Sequence, residues 1–378
     1  MMDAVKIGIL YSTTGPYGAM GRESRDGAEF AIGELRAAHG NLVQPVFIDP
    51  HGAIPEYLEG ARSMLRDSDC RHIVGTITSL ARKEVIPLVE KHDGLLWYMC
   101  PYEGFEANEN VIYTGACPNQ HLIPLFEYLL PRYGKRPYLL GANYVWGWEM
   151  NRLSRELINE SGGEILGERY LPFEETAVER IVNDIEQRRP SFVLSNLIGP
   201  ASYAFLKAFK LLGDRDPAFK PENCPVVSCD LTECELGEVG RGVATGQLSV
   251  ASYFDSLNTP ENLAFKARLA KRFGTERRIS NFFASAYSAV KMCGEAILAS
   301  GTDDPQIVLR RLSGAPLSTV HGDIRIDGET NHAALPFHLG RITTDNGFDI
   351  IASRPAIAAD PYLTGRRKRP APKLRIVS

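Results

Sequence analysis

Ser79 is the residue whose chemistry follows most directly from its position. It comes after an apolar run, Ile73 to Gly75, and opens a helical pattern over 79–92. A hydroxyl there, beside the free N–H groups of a helix start, suits a carbonyl or carboxylate oxygen; its other reading is a simple helix cap. The opening segment has the same build. Ile7 to Leu10 reads as a buried strand, Tyr11 to Gly21 as a polar loop with three glycines and one proline, and Ala28, Ala31, Ile32 and Leu35 lie at helical spacing up to a stop at Gly40. Neither the G-x-x-x-x-G-K-[ST] cradle nor the G-x-G-x-x-G fingerprint occurs in this loop, so a nucleotide is not its first ligand. Cys100, with an acid such as Asp230, is the pair that a hydrolytic reading would use. His92, His121 and His321 have no motif context, and no base with an orienting partner can be identified, so the chain is expected not to be an enzyme. Cys224, Cys229 and Cys234 recur with four residues between neighbours, which is not a zinc spacing, and no paired histidines stand nearby. No metal and no cofactor are expected.

Bulk properties narrow the class. At 378 residues and a formal charge of −4 the chain has the composition of an ordinary globular protein with two domains. It has no overall basic balance, so a nucleic-acid surface is not expected. The exception is the basic tail from Arg366 to Arg375, read as a solvated terminus or a contact with a partner or with RNA. No apolar segment approaches the roughly 20 residues of a membrane span. Seven cysteines, an odd number without framework spacing, suit free thiols in a reducing compartment. The sequence passes from Met1 almost directly into the first strand, without a charged start, apolar stretch and cleavage site. The expected location is the cytoplasm, with the periplasm as the alternative.

The elements that must position these residues alternate. Strand-like runs at Val46 to Asp49, Ile73 to Gly75, Leu95 to Met99 and Val111 to Thr114 are separated by helical segments near 55–66 and 79–92. The pattern then restarts: strands at Pro137 to Ala142, Ile165 to Leu171, Phe192 to Leu197, Pro225 to Cys229 and Gly246 to Ala251, with helices near 148–161, 176–188 and 200–212. Two further helices, 260–273 and 281–300, are followed by strands at Gly322 to Ile326 and Leu335 to Ile342. Such alternation predicts α/β architecture, with parallel sheets covered by helices on both faces. No linker divides the chain, so it crosses between two lobes more than once.

These residues carry a family resemblance. Thr14-Gly15-Pro16-Tyr17-Gly18 with Arg25-Asp26-Gly27-Ala28 is similar to the opening block of the type I periplasmic binding proteins, the superfamily of branched-chain amino-acid and amide binders. Gly75-x-x-x-Ser79 is similar too. Arg82-Lys83-x-Val85-x-Pro87, Pro101-Tyr102-Glu103-Gly104-Phe105-Glu106, Pro118-Asn119-Gln120 and the late Asp360-Pro361-Tyr362 resemble the amide, urea and nitrile-regulator branch, which includes the amide-sensing negative regulator of the aliphatic amidase operon. The resemblance implies two Rossmann-like lobes joined by three crossovers, with hinge closure on a ligand in the cleft. It places residues 1–120 and about 253–328 in one lobe, 121–252 and about 329–360 in the other, and 361–378 in a tail. It further implies a non-enzymatic cytoplasmic sensor of a small amide that acts through an RNA-binding antitermination regulator. The alternative is the solute-binding component of an ABC uptake system for short amides, urea or amino acids. Self-association into a homo-oligomer is compatible with either.

The resemblance also names a site. Ser79 stands where the family's serine meets the ligand, and Tyr98 and Cys100 align with a tyrosine and a threonine that line the cleft. Tyr144 and Trp146 lie at the equivalent of the aromatic pocket loop, where Tyr144 offers a hydroxyl and a ring face; Trp148 is expected to pack against its lobe. Asp230 and Thr232 follow a cleft-facing strand end, where an acid accepts from an NH2 or ammonium group; capping the next helix is the other reading of Asp230. Ile77 replaces a tyrosine of the amide sensor, Cys100 its threonine and Trp146 another tyrosine. The pocket is therefore expected to be more apolar and to take a larger amide, nitrile-derived, urea-like or amino-acid-like ligand. Tyr11 is a lesser candidate.

Overall fold

The computed structural model describes residues 4–366; the basic run beyond Arg366 lies outside the described residues. The apolar hexapeptide that opens the chain is β1 (Val5–Leu10), flanked in a parallel sheet by two later strands. The chain continues through α1 (Gly18–His39), β2 (Val43–Ile48), α2 (Ile54–Arg62), β3 (His72–Gly75), α3 (Ser79–Lys91), β4 (Leu95–Tyr98) and β5 (Val111–Tyr113). These strands form one parallel sheet in the order β2-β1-β3-β4-β5. β3, β4 and β5 are buried along their whole length, as expected of strands covered on both faces.

The second half repeats the scheme with α4 (Leu122–Tyr133), β6 (Tyr138–Ala142), α5 (Val145–Glu160), β7 (Gly167–Leu171), α6 (Glu179–Arg188), β8 (Val193–Asn196), α7 (Pro200–Arg215), β9 (Val226–Ser228), α8 (Glu233–Val239) and β10 (Leu248–Ala251). The chain then returns to the first sheet with α9 (Pro260–Phe273), α10 (Asn281–Ser300) and α11 (Pro305–Leu312), and a short hairpin, β11 (Leu317–Thr319) and β12 (Gly322–Ile324). It crosses once more to add β13 (Leu335–Ile342) and β14 (Phe348–Ile357). The second sheet has the order β14-β13-β10-β9-β8-β6-β7; β13 and β14 are antiparallel to their neighbours. Two parallel-rich sheets flanked by helices, with three passages of chain between them, give the expected fold class.

α10 shows why the first lobe closes. Apolar residues recur all around it, and 15 of its residues, from Asn281 to Ile297, are buried. It lies along α1, where Phe30 meets Phe265, Phe283 and Tyr287 at ring separations of 5.9, 6.3 and 5.6 Å. A helix apolar on every side belongs inside a core. Five helices or strands escaped the sequence pattern: α4, α8, α11, β11 and β14. β14 is an edge strand, half-exposed for most of its length, so no alternation marks it. α8 is only seven residues long and opens with two acids, which read as loop.

Candidate ligand-binding cleft

Parallel strands point their carboxyl ends the same way, and the loops that leave those ends meet between the two sheets. From the first sheet come Ile77, Thr78 and Ser79 after β3, and Tyr98, Cys100 and Pro101 at the end of β4. From the second come Tyr144 and Trp146 at the β6–α5 junction, Ile198 after β8 and Asp230 after β9. Met20 of α1 and Phe282 of α10 complete the wall. The space between them is about 20 Å³, room for a single water at roughly 10–15 Å³ apiece. A second chamber of about 10 Å³ adjoins it on the other side of Asp230 and Phe282, lined by Gln120, His121, Thr232, Ser252 and Asn281. Larger hollows of about 410 and 630 Å³ lie along the outer face of α10, where no parallel strand ends.

The small volume reflects closure. Tyr17 of the first lobe meets Phe173 of the second, rings 6.2 Å apart at 77°. Gly199, with φ of +65°, comes so close to Pro16 that a β-carbon there would sit 2.2 Å from the Pro16 carbonyl oxygen. Only glycine fits both the backbone angle and the approach.

Six of the nine expected side chains meet Asp230 around the one cavity: Ile77, Ser79, Tyr98, Cys100, Tyr144 and Trp146. Thr232 lines the second chamber. Tyr11 is not brought to either; it is buried beside Ile9, Phe47 and Asp49, and its hydroxyl has no partner. The capping readings need correction. Thr78, not Ser79, caps α3, accepting from the Ala81 N–H at 3.2 Å, because the residue before the first helical one is in the extended conformation a cap requires. Thr232, not Asp230, occupies the cap position of α8. Trp148 does not pack against its lobe. It is half-exposed, its indole N–H given to Asn143 at 3.1 Å.

Ser79 donates its hydroxyl to Glu103 at 2.5 Å and accepts from Arg82 at 3.3 Å. Arg82 is completely buried and also holds Glu103 at 3.0 Å and Glu106 at 2.8 Å, while its guanidinium lies 4.5 Å over the Tyr98 ring. Burial alone would raise the Glu106 carboxyl; Arg82 and Lys83 overcome it and hold the group down at about 2. The Tyr98 hydroxyl is given to the Ile77 carbonyl at 3.0 Å. Cys100 gives its thiol to the Thr76 carbonyl at 3.5 Å, and burial pushes its ionisation far up, so it is a thiol wall and not a thiolate. All seven cysteines are free.

Asp230 is the opposite case. It accepts from Ser228 at 2.6 Å, and burial lifts its carboxyl to about 7. Behind it Glu235, also buried, accepts from Tyr203 at 3.2 Å and leaves its second oxygen without a partner. Burial first, and then the neighbouring Asp230, push the Glu235 carboxyl well above its usual range. Trp146 is buried with its indole N–H unpartnered, and so is Nδ1 of His121, whose ring lies 6.1 Å away. Sequence reading missed Phe282, Ile198, Met20 and His121. Phe282 looks like core because its whole helix does, and an isolated histidine carries no local signal.

The model of the periplasmic binding protein domain matches residues 5–368. The Leu/Ile/Val-binding protein homolog 6 of Brucella abortus (strain 2308) is 22% identical over 358 residues, covering 91% of this chain and 89% of that protein. A limonene hydroxylase of Geobacillus stearothermophilus is 33% identical over 127 residues, but that match covers only 33% of this chain and 23% of that protein. Among solved structures, a solute binding protein of an ABC transporter from Rhodopseudomonas palustris HaA2, in complex with p-hydroxybenzoic acid, superposes with a TM-score of 0.84 at 20% identity, over 97% of this chain and all of that one. An amino acid ABC transporter substrate-binding protein from Pseudomonas fluorescens Pf-5 gives 0.82 at 18% identity, over 96% and 98%. These likenesses carry the fold, and the family match carries the membership: the chain belongs to the periplasmic binding protein domain family.

Proposed function

We propose that this protein is the solute-binding component of an ABC-type uptake system, closing its two lobes over one small organic molecule. The observation that carries the reading is the cavity built from strand ends of both sheets, with the two lobes in contact at Gly199 and Pro16 and a buried acid, Asp230, in the same wall as the N-terminus of α3. An oxygen of the solute faces the helix end at Ser79, its donor group faces Asp230, and its carbon skeleton lies against Ile77, Met20, Ile198 and Phe282. The relatives matched over their full length are named as binding proteins, which supports the same reading. Transport places the protein in the periplasm.

A second reading, the cytoplasmic amide sensor with an RNA-binding partner, rests on the Pro101 to Glu106 block. That block supplies Glu103 and Glu106 to Arg82, so it shapes the wall behind the ligand in both readings. The test is thermal unfolding with a panel of amides, ureas, amino acids and benzoates. A ligand that binds only the folded form raises Tm by mass action. A panel without any shift sinks the solute-binding reading. Co-purification with an RNA-binding regulator, lost on adding ligand, selects the sensor over transport.

A further inference from the structure

We propose that Glu233 is a proton-operated catch between the two lobes: closure buries its carboxyl in the protonated form, and its ionisation at alkaline pH opens them. The inference rests on the lobe movement of the reading above and adds a control that is the same whichever solute is bound.

The catch lies on a seam where α8 of the second lobe packs against α1 of the first. At the rim, Arg22 of α1 meets Glu238 of α8 at 3.8 Å. Glu233 opens α8 and faces Glu23 of α1 and Asp255, in the crossover from β10 to α9. One of its oxygens accepts from the Asp255 N–H at 2.8 Å; the other, Oε2, is buried without a partner. The cations nearby are already engaged. Arg277 gives to Glu23 and to Asp26, each at 2.7 Å, and the Ser280 N–H adds a bond to Glu23 at 3.0 Å. Lys266 holds the Asp255 carboxylate at 2.6 Å. Glu23, Asp26, Asp255 and Glu233 thus share two cations, and among the described residues no cation pairs with Glu233. The other neighbours bring no positive charge. Tyr253 gives its hydroxyl to Asn262 at 2.7 Å, and burial keeps Cys234 a thiol and His321, against the Tyr253 ring, neutral.

An ionised Glu233 in this seam is an unpaired buried charge beside other carboxylates, whereas a protonated one is neutral. Burial lifts its carboxyl to about 8 against the pull of the Asp255 N–H, and the charges of Asp255 and Glu23 add to the rise. Separating α8 from α1 takes Glu23 away and lets water reach Oε2, which returns the group towards the ordinary carboxylate range. The advantage of the closed form is therefore fully present below that range and is lost as pH rises through about 8. Across that window the ratio of open to closed rises up to about tenfold per pH unit, the mark of one proton released on opening.

The experiment is small-angle X-ray scattering of the protein alone, with no solute added, from about pH 5 to about pH 9, the radius of gyration reporting the open fraction. The parent should expand as pH rises towards 8. Glu233→Gln keeps an acceptor for the Asp255 N–H and cannot ionise, so its open-to-closed ratio should climb up to about tenfold less per pH unit. The raised carboxyls of Asp230 and Glu235 titrate alike in both proteins, so the difference between the two series belongs to Glu233. Circular dichroism at each pH separates opening from unfolding. A parent whose radius of gyration is constant across the range overturns the inference by itself, whether or not the variant folds. A variant that expands as steeply as the parent assigns the proton elsewhere and overturns it as well. Neither result touches the solute-binding reading, which the ligand panel tests.

Discussion

Ser79 stands between two groups of buried polar side chains that differ in one respect. On one side Arg82 is surrounded by Glu103, Glu106, Ser79 and two tyrosine rings. On the other, Trp146, His121 and Glu235 each keep a buried polar atom without a partner, and Asp230 is lifted towards neutrality. Both groups lie in the same low-dielectric interior. A satisfied network rigidifies, whereas an unsatisfied one costs free energy until something else answers it. On the solute-binding proposal the first group is scaffold and the second is the place for the ligand. Two carboxyls show the contrast: burial acts upward on both, but cations hold Glu106 at about 2 while Asp230, helped by Ser228 and its own backbone N–H but by no cation, rises to about 7.

Breaking the scaffold should have the largest effect. Arg82→Met takes the buried cation from Glu103 and Glu106 and leaves Lys83 beside them, and breaking a buried ion pair costs about 3–5 kcal/mol of folding stability. Urea unfolding measures it; a loss below about 1 kcal/mol, the range of exposed pairs, would mean that the network is not the scaffold described. The pH arm has a definite sign. Because Glu106 is depressed when folded, its contribution is present above the usual carboxylate range and is lost as pH falls through about 2. The variant should lose the share of that acid dependence that Arg82 supplies, Lys83 keeping the rest.

Closure is the intermediate case. Gly199→Ala adds a β-carbon against the Pro16 carbonyl and strains a positive φ. The closed form should suffer more than the open one, weakening ligand binding about tenfold, or about 1.4 kcal/mol. Equal affinity in variant and parent would separate the Pro16 contact from closure.

A comparable effect, and the sharpest test of the unsatisfied group, is expected of Asp230→Asn. Asp230 is raised when folded, so its contribution is fully present below the unfolded carboxylate range and is lost as pH rises through about 7. The empty variant should be flatter between pH 4 and 8 and more stable than the parent at pH 8 by about 1–2 kcal/mol. It should bind ligand less well, since a site kept for function is released from its strain. Parallel pH profiles for variant and parent would show that Asp230 is not the lifted group.

Much of this was legible in the chain. The first strand, the stop at Gly40 and the two late helices follow from local apolar spacing, because a strand or helix that must bury a face announces it within one turn or two. Ser79, Cys100, Trp146 and Asp230 were named through the family resemblance, each at or just after the end of a recognisable strand, and the structure brings all four to one cavity. β14 could not, since an edge strand has no face to bury fully, and the cap of α3 shifted by one residue because Thr78 and Ser79 offer the same hydroxyl.

The sequence by itself determined the alternation of strand and helix, hence two parallel-rich sheets, and the residue types that stand at their ends. Only the tertiary structure decided which polar atoms have partners. That Ser79 belongs to Glu103, that Nε2 of His121 faces Tyr102, and that Trp146 is left with an empty donor are facts about groups 19 to 24 residues apart or in different lobes. Hydrogen-bond satisfaction is a property of three-dimensional neighbours, and periodicity along a chain carries no record of it.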